Sequence, residues 1–262
     1  MAIRRFREHV AEQNWFAVLI DVGIVVLGVF LGTQVNNWNQ GRIEAEQVRD
    51  YRARLADELD FNARQFATQT RYYRRAQDYG KQALADLQGK APMADRDFLI
   101  AAYQLSQTDT NHAKTYIYDE LTANGLVGRL GSARLQEMAS DYYLGLDASN
   151  RVIEETYPYR TLVREVMPYP VQKAIRSACG DRLLVYRGRQ IGVAVRVPCP
   201  VDLDPAAAAA AARVVRSTPG IAKEMTRYLA SLDEKRDQLE PGVRYSTDLR
   251  HAVLAESGID SP

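Results

Sequence analysis

Cysteine, histidine, tryptophan and net charge are all scarce in this chain of 262 residues. The histidines His9, His112 and His251 lie far apart, and neither cysteine has a second cysteine or a histidine beside it. The usual zinc-ligand spacings are therefore missing. So are H-E-x-x-H, G-x-S-x-G and a Walker loop, which leaves no familiar catalytic or cofactor motif. Lys and Arg number 34 against 33 Asp and Glu, a net charge of +1, so there is no basic excess to meet a nucleic acid. A mean hydropathy of −0.34 excludes a multi-span transporter but not a single span. What remains is 46% hydrophobic, enough for one large domain or two small ones.

The strongest signal is apolar. Trp15 to Val35 reads WFAVLIDVGIVVLGVFLGTQV, with Asp21 as its one charge. Such a run can cross a hydrocarbon core of about 30 Å as a helix. The two tryptophans, Trp15 and Trp38, bracket it and would stand roughly 35 Å apart at 1.5 Å per residue, suiting the two headgroup belts. A buried core helix is the bland alternative. A cleaved signal peptide is another, but the run is too long and no A-x-A-like site follows it. The sequence thus predicts a cytoplasmic segment over 1–14, a transmembrane helix over 15–38 and a helical periplasmic domain over 39–262. Arg4, Arg5 and Arg7 before the span, against Arg42 and Arg49 after it, favour this orientation only slightly.

Cys179 and Cys199 bear on the compartment. They flank a hairpin pattern, Leu183-Leu184-Val185-Tyr186, a turn at Arg187-Gly188-Arg189, then Ile191 to Val195. A bridge across its ends would contribute about 3 kcal/mol by chain entropy and persists only where conditions are oxidising. Two free buried thiols are the alternative. The bridge places the domain in the periplasm, with the hairpin inserted over 179–199.

Elsewhere the pattern is helical. Val48, Tyr51, Leu55, Leu59, Phe66 and Tyr73, with Asn62 in register, fall mostly three or four apart and mark one face of a long helix over about 42–89. No proline interrupts Trp15 to Lys90, so the span and this helix can be continuous. Asp95 is an expected N-cap, a helix is expected over about 113–124, and Ser132 caps another. A run from Val152 to Val166 should kink at Pro158. Asp204-Pro205 and Thr218-Pro219 read as cap–proline starts. The alanine run Ala206–Ala212 suits a close-packing helix, and Pro241-Gly242 reads as a stop. The expected fold is mainly α: a span continuing into a long amphipathic helix, then a bundle with one disulfide-clipped hairpin.

Three features invite a functional reading. Asp21, Val25, Gly28, Gly32 and Asn36 share a helix face, and Gly28/Gly32 is a G-x-x-x-G pair, the pattern of two spans in close approach. The fifteen tyrosines include Tyr72, Tyr73, Tyr116, Tyr118, Tyr142 and Tyr143, interleaved with arginines such as Arg74; they form a candidate aromatic–arginine groove or, more blandly, helix-packing rims. His112, Lys114, Asp119 and Glu120 could assemble an acid–base group or simply cap and pair.

Two resemblances follow from these residues. The stretch Gly28 to Asn39, with its Val35-Asn36-Asn37-Trp38-Asn39, then Tyr51, Leu55 and Leu59, resembles a bacterial family of unassigned activity with one N-terminal span. Tyr118-Asp119-Glu120-Leu121 through Tyr142-Tyr143 looks like the body of that family. This likeness implies the architecture and no activity. Leu19-Ile20-Asp21-Val22 with Val25, Val26, Leu27 and Phe30 is similar to the span of small subunits of proton-driven inner-membrane motors, where the aspartate carries the proton. The sequence therefore points to a single-pass protein of the bacterial inner membrane that binds or scaffolds, with membrane lipid, a second copy or another membrane protein as partner and no nucleic acid. A proton-conducting subunit using Asp21 is the alternative, and a hydrolytic enzyme the second.

Overall fold

The computed structural model describes residues 15–257, without the side chains of 15–18 and 21. The expected cytoplasmic segment 1–14 and the side chains of Trp15 and Asp21 lie outside the described residues. The chain divides between Asp50 and Tyr51 into two units, and helix α1, Trp15–Leu87, contributes to both.

In the first unit the apolar run is helical and bare. Leu19, Ile20, Val22, Val29, Phe30, Leu31 and Val35 are exposed, as is every residue from Ile24 to Leu27. Consecutive residues step about 100° round a helix, so this exposure covers all sides. Trp38 is 71% exposed, and a Cβ on Gly28 or Gly32 would meet nothing within 4 Å. Among the described residues, however, no helix is long and apolar enough to cross a membrane. From Val22 to Val35 the helix rises only roughly 21 Å, short of the about 30 Å needed. The expected span over 15–38 is therefore not supported by the described residues.

The second unit is a helical bundle. After α1 come α2 (Asp95–Leu105), α3 (Tyr116–Ala123), a 3-10 turn (Val127–Arg129), α4 (Ala133–Glu154), α5 (Pro158–Val166) and α6 (Tyr169–Cys179). Strands β1 (Arg182–Tyr186) and β2 (Arg189–Ala194) follow, then α7 (Pro205–Arg216) and α8 (Ile221–Ser257). Leu55, Leu59, Phe66, Tyr73, Ala76 and Ala83 of α1 enter one core with α2, every residue of which is buried from Phe98 to Leu105. The alanine helix α7 buries Ala208, Ala211, Ala212 and Val215, one face at helical spacing, and packs on α2. Helices α4 and α8 pack together on another side.

Local chemistry sets most of the boundaries. Helix α1 stops at Gly89, whose φ of +67° lets Gly89 and Lys90 donate back to Asp86 and Ala85. Ser132 and Asp204 accept from Leu135 N and Ala207 N as N-caps, as their positions predict. Other expectations need correction. Pro158 does not kink a helix but starts α5, because the residue before a proline is driven extended and Tyr157 has φ −125° and ψ 146°. Helix α5 ends at Val166, and Pro168-Tyr169-Pro170 then opens α6. Asp95 is inside α2, capped by Ala94 without a side-chain bond, and pairs instead with Arg216. Thr218 is no cap either; its hydroxyl donates to Val214 O of the preceding helix.

Pro241-Gly242 does not stop α8. Leu239, Gly242, Ser246 and Leu249 are all buried, and this face carries the helix through the proline. A Cβ on Gly242 would stand 2.9–3.0 Å from the Phe66 ring, so the glycine marks a helix crossing.

The hairpin forms as expected, antiparallel, with its turn at Arg187 and Gly188, both at positive φ. Cys179 and Cys199 are disulfide-bonded across its ends, with Cα atoms 5.1 Å apart. Gln104 and Arg96 of α2 donate to the carbonyls of Cys179 and Cys199 and seat the bridge on the bundle.

Candidate functional site

A groove of about 350 Å³ runs between α1 and the hairpin. Thr68, Arg71, Tyr72, Arg75 and Asp78 recur three or four apart and so share one helix face, with Arg74 beside them. Leu184, Val193, Ala194 and Val195 form the other wall. The hairpin sits close because Gly192 has no side chain: a Cβ there would lie 3.0 Å from Thr68 Cγ2 and 3.2 Å from Asp109 Oδ2.

The helix side of the groove is cationic. Arg74 pairs with Glu240 at 3.3 Å and Arg75 with Asp78 at 3.5 Å, both exposed pairs. Arg71 is exposed and donates to Thr68 Oγ1 at 3.2 Å, and no ion pair to it is present among the described residues. Tyr72 forms the floor, 2% exposed, and donates to Asp181 Oδ2 at 2.8 Å. Burial and the neighbouring carboxyl of Asp181 hold the Tyr72 phenol far above its usual range.

Beneath the floor lies a polar layer. Asp109, 2% exposed, accepts from Asn111 at Oδ1, and its carbonyl accepts from Tyr73 Oη at 2.6 Å. Burial pushes both Asp109 and Asp181 up from the ordinary carboxylate range, despite donors at Asn111 and Tyr72. Asp109 Oδ2 and Asp181 Oδ1 are buried with no hydrogen-bond partner among the described residues. Arg164 stacks over Tyr103 at 4.1 Å and donates to Ser106 Oγ, Tyr103 Oη and Gln107 Oε1.

The sequence-predicted tyrosines do not form one groove. Tyr72 and Arg74 meet at the hairpin, while Tyr73 is wholly buried behind them. Tyr118 and Tyr143 stack elsewhere, at 4.1 Å and 5° between planes, and Tyr143 Oη donates to Glu58 Oε1 at 2.7 Å. Tyr142 accepts from Asn62 and shares a hydrogen bond with Ser246. Tyr116 is 70% exposed. Burial lifts the Glu58 carboxyl above its ordinary range even though Ile117 N and Tyr143 both donate to it. This second cluster fastens helices together.

The suspected acid–base group does not converge. His112 faces Glu154 at 3.0 Å, and the Lys114 ammonium sits 3.9 Å over the Phe61 ring. Asp119 accepts from Thr115, and Glu120 accepts from Arg54 and Tyr51. No group of three His, Cys, Asp or Glu side chains among the described residues could hold a metal ion. Val25, Gly28, Gly32 and Asn36 of the expected helix interface are in the first unit, uncovered by the chain itself. Sequence reasoning missed Arg71 and the hairpin wall. The signal for Arg71 was its helical spacing from Thr68 and Arg75; nothing local points from α1 to Val193.

No protein-family model, curated protein or solved structure matches the chain.

Proposed function

We propose that the chain is a membrane-anchored binding or scaffolding protein, held in the bacterial inner membrane by its apolar helix, with the helical domain in the periplasm. One observation carries the reading: from Leu19 to Val35 the large apolar side chains are each 46–72% exposed and surround the helix. Water-exposed surfaces rarely carry so extensive an apolar patch, so something outside the chain covers it. Preceded in sequence by Trp15 to Val18, the run reaches the length that lipid requires. The Cys179–Cys199 bridge supports an oxidising compartment. Bare Gly28 and Gly32 support close approach of a second copy's span. The groove of Arg71, Tyr72 and Val193 supplies a binding surface without aligned acid–base groups.

Fractionation tests the anchor. The full chain, expressed in a bacterium, should sediment with membranes, resist alkaline extraction and dissolve in non-ionic detergent. Val26→Arg with Leu27→Arg adds two charges, at about 2.5–3.5 kcal/mol each near the centre of a span, and should shift most of the protein out of the membrane fraction. A wild-type chain that stays monodisperse in the supernatant overturns the reading.

A further inference from the structure

The groove is two-faced in chemistry as well as in structure. One wall is Arg71, Arg74 and Arg75 with a single acid, Asp78; the other is Leu184, Val193, Ala194 and Val195. Arg75 is paired with Asp78, and Arg74 shares Glu240 with Arg236. Arg71 is the exception, since its described bond is to the neutral Thr68 hydroxyl. A guanidinium presents a planar fork that fits carboxylate or phosphate by two parallel hydrogen bonds. Tyr72 cannot compete for the same anion, because its hydroxyl points down to Asp181 and leaves the ring as floor. A volume of about 350 Å³ suits a small molecule.

We infer that this groove binds a small organic anion, its carboxylate or phosphate group on Arg71 and its aliphatic part against Leu184, Val193 and Val195. The inference rests on reading the groove as the binding surface of this protein and is independent of the membrane anchor. The exposed pairs of Arg74 and Arg75 contribute little to stability, so both guanidiniums can turn to a bound anion once Arg71 has engaged it. The ligand must carry both features. A bare anion leaves the aliphatic wall wet, and an uncharged chain leaves Arg71 as it was.

Calorimetric titration of the full chain in non-ionic detergent tests this, with heats from protein-free detergent subtracted. Hexanoate and hexyl phosphate are the probes; inorganic phosphate and hexanol each lack one half. At least one probe should bind, and the tighter one identifies the head group. Each control should bind at least about tenfold more weakly. Arg71→Gln should weaken the preferred probe about tenfold or more, the loss expected for one charge-assisted hydrogen bond, with an unchanged unfolding temperature because Arg71 is exposed. Arg74→Gln should weaken it less. Binding of neither probe, equal affinity in Arg71→Gln, or a control as tight as the probes overturns the inference. A chain that binds hexanoate but fractionates as soluble sinks the anchor and leaves the groove standing.

Discussion

Asn62 shows how one polar residue in an apolar stripe can fix a distant segment. It falls in register with Leu59 and Phe66 and is fully buried. Its Nδ2 donates to Lys114 O at 2.8 Å, and its Oδ1 accepts from Lys114 N at 2.7 Å. The amide thus does for the loop before α3 what a neighbouring strand would do, satisfying both backbone groups of one residue. Asn62→Ala leaves those groups without their partner and should cost about 3 kcal/mol, a fall of roughly 6–12 °C in unfolding temperature for a domain of this size. Asn62→Asp keeps the acceptor but sets a carboxylate oxygen against Lys114 O in a fully buried site, so it should cost at least as much as alanine. A change below about 1 °C for Asn62→Ala would refute the clamp. The register of Asn62 was legible in the sequence; its partner was not, because the helix expected over about 113–124 starts only at Tyr116 and leaves Lys114 in the loop before it.

At the scale of elements, what sequence could see was whatever rested on short-range chemistry. Ser132 and Asp204 announce helices because a side-chain oxygen three residues before a free N–H is a local event. The hairpin and its bridge were legible because alternation, turn and flanking cysteines all lie within one short stretch. Pro241-Gly242 misled for the opposite reason. Locally it is a stop, and what overrides it is the Phe66 ring against Gly242. The same holds for the groove, where Arg71 and Val193 are brought together by the seating of the hairpin at Gly192. Gly242→Ala tests the crossing. The added methyl must push Phe66 aside, an overpacking cost of about 1–3 kcal/mol read as a shift in the denaturant midpoint. Phe66→Leu should absorb part of that cost, so the double variant should be less destabilised than the two single effects summed. Strict additivity would mean that Gly242 and Phe66 do not constrain each other.

Taken over the whole molecule, the ionisable groups divide by depth, and the division sets how stability responds to acid. Glu58 and Asp109 are buried and Asp181 is half-buried, and desolvation raises all three from ordinary values of 4.5, 3.8 and 3.8. Asp60, Glu120, Glu240 and Glu256 are lowered; hydrogen bonds to Arg54, Arg236 and Ser132 lead for the last three, and at Asp60 burial is the largest influence but is outweighed by the bonds to Arg64 and Tyr186 together with the charges of Arg64 and Arg250. A group whose pKa is raised by folding takes up its proton in the native state first. As pH falls from neutrality through that raised pKa, the native chain binds protons that the unfolded chain does not, and stability rises. The lowered groups act in the other direction, and only below the ordinary carboxylate range, where their ion pairs are lost. The buried set should dominate the first window, because exposed pairs are weakened by solvent and salt. The unfolding temperature of the full chain in detergent should therefore rise as pH drops from 7 toward about 5 and turn down only below about 4. The triple variant Glu58→Gln, Asp109→Asn, Asp181→Asn removes the groups responsible and should flatten the rise while keeping the downturn. A wild-type unfolding temperature that falls steadily from pH 7 would show that the buried carboxyls do not govern the response.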